Sequence, residues 1–241
     1  MGASLATKLQ MVAAGGLNPI LNPNNPDLIV MYTMDNISGS TLVDENPNGN
    51  DSTITGAIAV PGLIGNALDF DGINDLTDRA SITGFPGSGH FSVSIWVKPG
   101  ILTGSHQIFG IGGDTGNITL GSYLAHTSGG YFVAVNDANG GFTDPAQALI
   151  STPVDTIWDH VVGVFPIASG GTGKIYLNEV LKDTFVSSQV INDTNGPLRL
   201  GRRTQIGGAN FFDGGMDLAR IFKREVIQSE VSALYNGGVG A

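Results

Sequence analysis

The chain has 241 residues, of which 36 are glycine and 11 proline, with 41% hydrophobic and 13% charged side chains and no cysteine. That composition suits many short strands joined by tight turns, and it excludes a disulfide framework, a thiolate metal centre and a thiol nucleophile. A formal net charge of -10 argues against a nucleic-acid partner, whose phosphates need clustered Lys and Arg, and favours a hard cation wherever carboxylates converge in loops.

Residues 1–16, MGASLATKLQMVAAGG, have no basic leader, and their apolar run is short and broken by Gln10, so no cleaved secretory signal is expected. No apolar stretch is long enough to span a membrane. Ala6 stands where a myristoylation signal needs Ser or Thr. Ser4 suits an N-cap, Leu5, Leu9 and Val12 share a helical face and Gly15 is a stop, which predicts a short amphipathic helix. Such a helix is unstable alone, so it either packs on its own domain or docks on a neighbour. The Asn- and Pro-rich stretch 18–26 favours a linker that holds it away. The predicted division is an arm over residues 1–27 and one domain over residues 28–241.

Residues 28–34, LIVMYTM, are apolar enough for an inner strand. Residues 44–52, DENPNGNDS, read as a solvated connection between Leu42 and Ile54. In residues 66–72, Ala67, Asp69 and Asp71 alternate with Leu68 and Phe70, a strand with one face in a core. In residues 91–97, Phe91, Val93, Ile95 and Val97 alternate with Ser92, Ser94 and Trp96, a strand with both faces partly buried that stops at Pro99. Residues 107–112 form a short strand, and residues 117–124 and 130–135 a hairpin. Residues 136–144, NDANGGFTD, make a polar tip. The chain re-enters a sheet at 161–165. Residues 174–177 and 180–182 make a hairpin with Glu179 in its turn, where a type I′ turn requires positive φ, so an altered or bulged turn is expected. An edge-type strand at 198–201, a closing strand at 211–222 and a helical turn at 229–235 complete the chain.

Three of these stretches, GNALDFDG, FSVSIWVKP and GGMDLARIFKREVIQSEVSALYNGG, resemble the laminin-G-like modules of the concanavalin A-like lectin and glucanase superfamily. The resemblance runs over residues 29–238. It implies an all-β fold, a two-sheet antiparallel jelly-roll β-sandwich of about a dozen short strands, here with a short N-terminal helix or arm. It also implies that Trp158, in DTIWDHVVGVF, packs inside. Related modules often hold one calcium ion at the strand rim, and Asp71, Asn74, Asp75 and Asp217 match those positions by type. The competing reading is that Asp71 and Asp217 cap turns.

Relatives that hydrolyse glycans carry an E-x-D-x-x-E strand, which is absent here. The nearest pair of carboxylates is Asp69 and Asp71. His90, His106, His126 and His160 lie singly, with His160 expected at a strand edge, and GSGH at 87–90 is not a nucleophile elbow. No catalytic residue is predicted and the chain is read as a non-enzyme. For glycan binding, Tyr123, Tyr131 and Phe142 are candidate platforms, with Asn136, Asp137 and Asn139 as acceptors, unless the strand-borne rings belong to the core. Arg199, Arg202 and Arg203 are expected to be solvated or paired.

The expected function is a non-enzymatic, lectin-like surface module. The leading form is a bacteriophage virion structural, decoration or adhesion protein, at the virion surface and anchored through residues 1–27 to other virion proteins or its own copies. The alternative is a carbohydrate-binding module of a bacterial surface or secreted protein that contacts cell-surface glycans. A glycoside hydrolase ranks third. Neither a nucleic acid nor a membrane is an expected partner.

Overall fold

Period-two alternation of apolar and polar residues recurs along most of the chain and builds two stacked antiparallel sheets. A computed structural model describes residues 18–100, 103–112, 122–127, 130–135, 146–149, 156–188, 196–202 and 210–240. In chain order the strands are β1 (Leu28–Tyr32), β2 (Ile37–Ser38), β3 (Thr41–Leu42), β4 (Ser52–Thr55), β5 (Ile58–Pro61), β6 (Asn66–Asp71), β7 (Leu76–Arg79), β8 (His90–Pro99) and β9 (Ser105–Ile111). There follow β10 (Ser122–Thr127), β11 (Gly130–Val135), β12 (Ala146–Leu149), β13 (Asp159–Pro166), β14 (Thr172–Leu177), β15 (Val180–Val186), β16 (Leu198–Leu200) and β17 (Asp213–Phe222), then the helix α1 (Gln228–Tyr235). The described residues thus carry 17 strands rather than about a dozen, in the expected all-β sandwich.

One sheet runs β15-β14-β13-β8-β17-β6-β5, with β1 also on β17; the other runs β12-β11-β10-β9-β16-β7-β4-β3-β2. Strand β17 changes partner partway. Gly214 and Met216 pair with β6, whereas Ala219 and Phe222 pair with β1, and the register against β8 slips between Asp217 and Arg220. Leu218 sits in that bulge at φ 50°.

The main core lies between the sheets. Phe91, Val93, Ile95 and Val97 of β8 and Leu68 and Phe70 of β6 meet Ile108, Leu124, Val133 and Leu198 of the other sheet. Phe91 and Phe165 stack with ring centroids 4.8 Å apart. A second cluster covers part of the outer face of the first sheet, where Val162, Val164 and Met31 pack with Val231 and Leu234 of α1 and with Ile20 and Leu21. This double burial explains why β1 and β13 read as continuous apolar runs.

Residues 18–27 therefore do not act as a spacer. Pro19–Leu21 form a 3-10 turn, and Ile20 and Leu21 are buried beside α1. The asparagines hydrogen-bond within turns: Ile20 N–H donates to Asn18 Oδ1 at 3.2 Å, and Asn25 Nδ2 donates to the Pro19 carbonyl at 2.8 Å. Arg224 joins this segment to α1, donating from Nε to Asp27 and through its two terminal nitrogens to Glu230. Residues 1–17, where the helical arm is predicted, lie outside the described residues.

The Arg224 hydrogen bonds, ahead of all other influences, hold the Glu230 carboxyl below its usual 4.5. A carboxylate whose pKa is depressed by folding contributes stability in full above its unfolded value, and the contribution fades as pH falls through the folded value. Acid unfolding followed by tryptophan fluorescence should therefore begin below about pH 4.5. Arg224→Ala should flatten this part of the pH dependence by a modest amount, because both groups are partly solvated.

Two expectations about loops are corrected. The β14–β15 turn is a regular two-residue turn closed by the Leu177↔Val180 pair, with Asn178 at φ 49° and Glu179 at φ 66°; the register slip lies deeper, between Ile175 and Tyr176. The turn is held from outside: Asn178 Nδ2 donates to Asp159 Oδ1 at 2.8 Å, and Gln228 Nε2 donates to the Glu179 carbonyl at 2.6 Å. Glu179 keeps the strain of a left-handed conformation. Glu179→Gly should accordingly stabilise the domain by about 1 kcal/mol, which thermal unfolding would read as a rise of roughly 2–4 °C.

The second correction concerns residues 44–52, a buried polar network rather than a solvated loop. Met31 N–H and Asn46 N–H donate to Asp44 Oδ1, and Asn50 N–H donates to Asp44 Oδ2. Asn50 is fully buried; its Nδ2 donates to the carbonyls of Ile29 and Thr83, and its Oδ1 accepts from Thr83 N–H at 2.8 Å. Arg199 pairs with Asp78 across β16 and β7, and Arg202 lies 5.2 Å over the Phe211 ring. Arg203 lies outside the described residues.

Candidate functional site

The part of the first sheet's outer face that α1 leaves uncovered is formed by the ends of β6, β8 and β17. Register places the residues there: Asp213 faces Asp71, Gly215 faces Asp69, and on its other side Gly215 faces Lys98. Since Leu68, Phe70 and Val97 point into the core, Asp69, Asp71 and Lys98 point outward. Trp158 immediately precedes β13 and reaches across this surface. Its indole lies against Gly215, where any Cβ would come within 2.9 Å of the ring, so glycine is what lets the ring approach the sheet this closely. With Val60 and Pro61 of β5 as a further wall, these residues line a cleft of about 340 Å³. That is the lower end of the range for small-ligand sites, roughly 300–1,000 Å³.

Three carboxylates in the cleft, Asp69, Asp71 and Asp213, face one ammonium, Lys98. Asp69 is raised above the usual carboxylate range, first by burial and then by the charge of Asp213, with Lys98 opposing. Asp71 is lowered, chiefly because Ile73 N–H donates to it. Among the described residues, no hydrogen bond or ion pair engages the carboxylates of Asp69 and Asp213.

Of the four predicted calcium ligands, Asp71, Asn74 and Asp75 share one turn and Asp217 stands apart from them. Asp71 Oδ1 accepts from Ile73 N–H at 2.9 Å and Asn74 N–H at 3.2 Å, the turn-closing role that was the competing reading. Asp75 is buried against Gly56, accepts Asp71 N–H at 3.0 Å, and is raised mainly by burial. Asn74 is exposed at the turn. Asp217 is fully buried, accepts Ile64 N–H at 3.2 Å, and lies four residues along β17 from the partner of Asp71, or about 13 Å away at strand spacing. Among the described residues, no group of three or more His, Asp or Glu side chains is arranged to hold a metal ion.

The predicted glycan residues fare differently. Tyr131 is 1% exposed and donates its hydroxyl to Asp159 Oδ2 at 2.8 Å, so it is a core residue with no face left for a sugar. The backbone of Tyr123 is in β10, opposite Ala134, and its side chain lies outside the described residues. Asn136, Asp137, Asn139 and Phe142 also lie outside them. His160 is not at an edge but mid-sheet, between β8 and β14. Ser94 Oγ lies 2.8 Å from its Nε2, and burial lowers its pKa to about 3. With Trp96 and Tyr235 stacked on the ring, it has no route to a substrate.

Trp158 was missed because the family pattern implies an inward ring. The structure places it outward, half-buried, and strand parity carried the signal: counting back in twos from inward Phe165, Gly163 and Val161 makes Asp159 inward and Trp158 outward.

The family model of the Concanavalin A-like lectin/glucanases superfamily matches residues 71–232. No curated protein matches the chain in sequence. Among solved structures, the receptor binding domain of botulinum neurotoxin mosaic serotype C/D is similar at 16% identity and a TM-score of 0.66, over 88% of this chain and 51% of that one. The botulinum neurotoxin serotype D ligand binding domain in complex with N-acetylneuraminic acid is 14% identical at a TM-score of 0.66, over 91% and 53%. The chain thus spans about half the length of these domains. Domain 4 of AbnA, a GH43 extracellular arabinanase from Geobacillus stearothermophilus, in complex with arabinotriose, is 21% identical at a TM-score of 0.65, over 89% of this chain and 98% of that one. At these identities the likeness is one of fold. Among the described residues, no helix is long and apolar enough to cross a membrane.

Proposed function

This chain belongs to the Concanavalin A-like lectin/glucanases superfamily, and on that footing we propose that it is a non-catalytic glycan-binding module whose site is the Trp158 cleft. The observation that carries this reading is the half-buried indole against Gly215 beside the carboxylates of Asp69 and Asp213, which are unengaged among the described residues. A sugar ring has an apolar face that stacks on such a ring and hydroxyls that donate to such acceptors. The sugars named with two of the similar structures support the same class of ligand.

The placement of the acids supports binding over hydrolysis. Asp69, Asp71 and Asp213 are aspartates spread over two adjoining strands, and the E-x-D-x-x-E strand that carries the paired carboxyls of hydrolytic relatives is absent. The test is a glycan array probed with the intact chain, with a reducing-end assay on every retained sugar. Retention of a defined sugar class without shortening is expected; no retention on any glycan, or turnover, would overturn the proposal.

The finer reading is a decoration or adhesion protein of a bacteriophage, attached through its N-terminal residues. Its support is the amphipathic pattern of residues 4–15. A deletion that tests it must stop at residue 17, since Ile20 and Leu21 belong to the core. Loss of particle association in that deletion is the expected result, and unchanged association would remove the arm from the account.

A further inference from the structure

The cleft and the indole define the site, and charge selects among sugars that fit it. On the glycan-binding reading of that cleft, we infer that it prefers glycans bearing a free amino group, the de-N-acetylated amino sugars, and turns away uronic and sialic acids. Three carboxylates against one ammonium leave the lining negative at neutral pH. An incoming carboxylate meets repulsion from Asp69, Asp71 and Asp213, with Lys98 alone to offset it.

An incoming ammonium finds acceptors already positioned. Asp213 is set between glycines: a Cβ on Gly100 would fall 1.9 Å from its Oδ1, and one on Gly72 would fall 2.9 Å from its Cβ. Neither larger residue could stand there without displacing it. Asp69 is partly buried on the adjoining strand, and among the described residues neither carboxylate has a hydrogen bond or ion pair to give up on binding. The protein thus holds two carboxylates close enough for one to disfavour the other's charge, a cost that a shared ammonium relieves. Charge-assisted hydrogen bonds are the strong ones, and partial burial spares them full screening by solvent. An N-acetyl group carries neither the charge nor the three N–H donors.

The experiment is titration calorimetry of the intact chain at pH 6 with three equal-length oligosaccharides: glucosamine trimer, N-acetylglucosamine trimer and galacturonate trimer. The glucosamine trimer should bind at least about tenfold more tightly than its acetylated form, and the galacturonate trimer most weakly. The preference should shrink in 0.5 M salt, a concentration chosen for the test, because the Debye length falls there to roughly 4 Å. The double variant D69N/D213N should bind the first two trimers alike. Equal or reversed affinities in the wild type, with binding still dependent on Trp158, would overturn the amine preference and leave the glycan reading standing. Binding that EDTA abolishes would assign the carboxylates to a metal ion and also overturn it. Failure of all three trimers on a chain that the array shows to retain other sugars overturns the preference alone; failure on every sugar ends both.

Discussion

Trp158→Ala is expected to weaken glycan binding by roughly ten- to a hundredfold, the largest functional effect of any single substitution in the cleft. Among the described residues that line the cleft, the indole is the one aromatic ring outside the main core, to which Phe70 belongs. The ring also touches a small satellite cluster of Ile64, Trp96 and Leu218, so some stability is lost with it. Circular dichroism and the unfolding midpoint would separate that loss from the loss of binding. Trp158→Phe should retain most of the affinity, since it keeps a flat apolar face. Gly215→Val should reproduce much of the alanine defect without touching the ring's chemistry, because its Cβ alone reaches 2.9 Å from the indole. Wild-type affinity in Trp158→Ala would place the sugar elsewhere.

Asn50→Ala is expected to destabilise the sandwich by roughly 2–4 kcal/mol, with a fall in the melting temperature of roughly 5–15 °C. Asn50 has no exposed surface and spends its whole side-chain amide on backbone groups of two separate segments, Ile29 in β1 and Thr83 after β7. Truncation leaves the Thr83 N–H and carbonyl without their side-chain partner and the buried Ile29 carbonyl with only the long 3.3 Å contact from Asn48 Nδ2. Asn48, in the same loop, is a control: it is exposed, and its side-chain amide makes two long hydrogen bonds of 3.3 Å to the carbonyls of Leu28 and Ile29. Asn48→Ala should cost well under half as much. Equal effects in urea titrations would mean that the loop is no more buried at Asn50 than at its tip.

Both residues sit where reading along the chain was weakest. Asn50 lies in DENPNGNDS, whose composition is that of a solvated turn. Nothing local distinguishes an asparagine that faces water from one that bridges two distant backbone segments, because its partners lie 21 and 33 residues away. The asparagines of residues 18–26 misled in the same way, since their hydrogen bonds fold the segment onto α1 rather than extending it. Asp217 matched a rim position by type, yet the β17 bulge and its distance along the strand from the partner of Asp71 keep it apart from the β6–β7 turn. Glu179 was expected to distort its turn, and tertiary contacts from Gln228 and Asn178 hold the left-handed conformation instead. Trp158, by contrast, was legible by parity and was masked by a family expectation.

The sequence alone determined the strand-rich class, the absence of thiol chemistry and the inward and outward faces of the long strands. Each follows from composition or from the period-two pleat, which is a property of neighbouring residues. Only the tertiary structure decided which outward residues meet. Asp69, Lys98, Trp158 and Asp213 come from four segments spread over 145 residue numbers, and they adjoin because inner faces packing against the opposite sheet set the register among β6, β8 and β17 and the approach of β13. A local pattern tells each side chain which way to point; the packed core tells it what stands beside it.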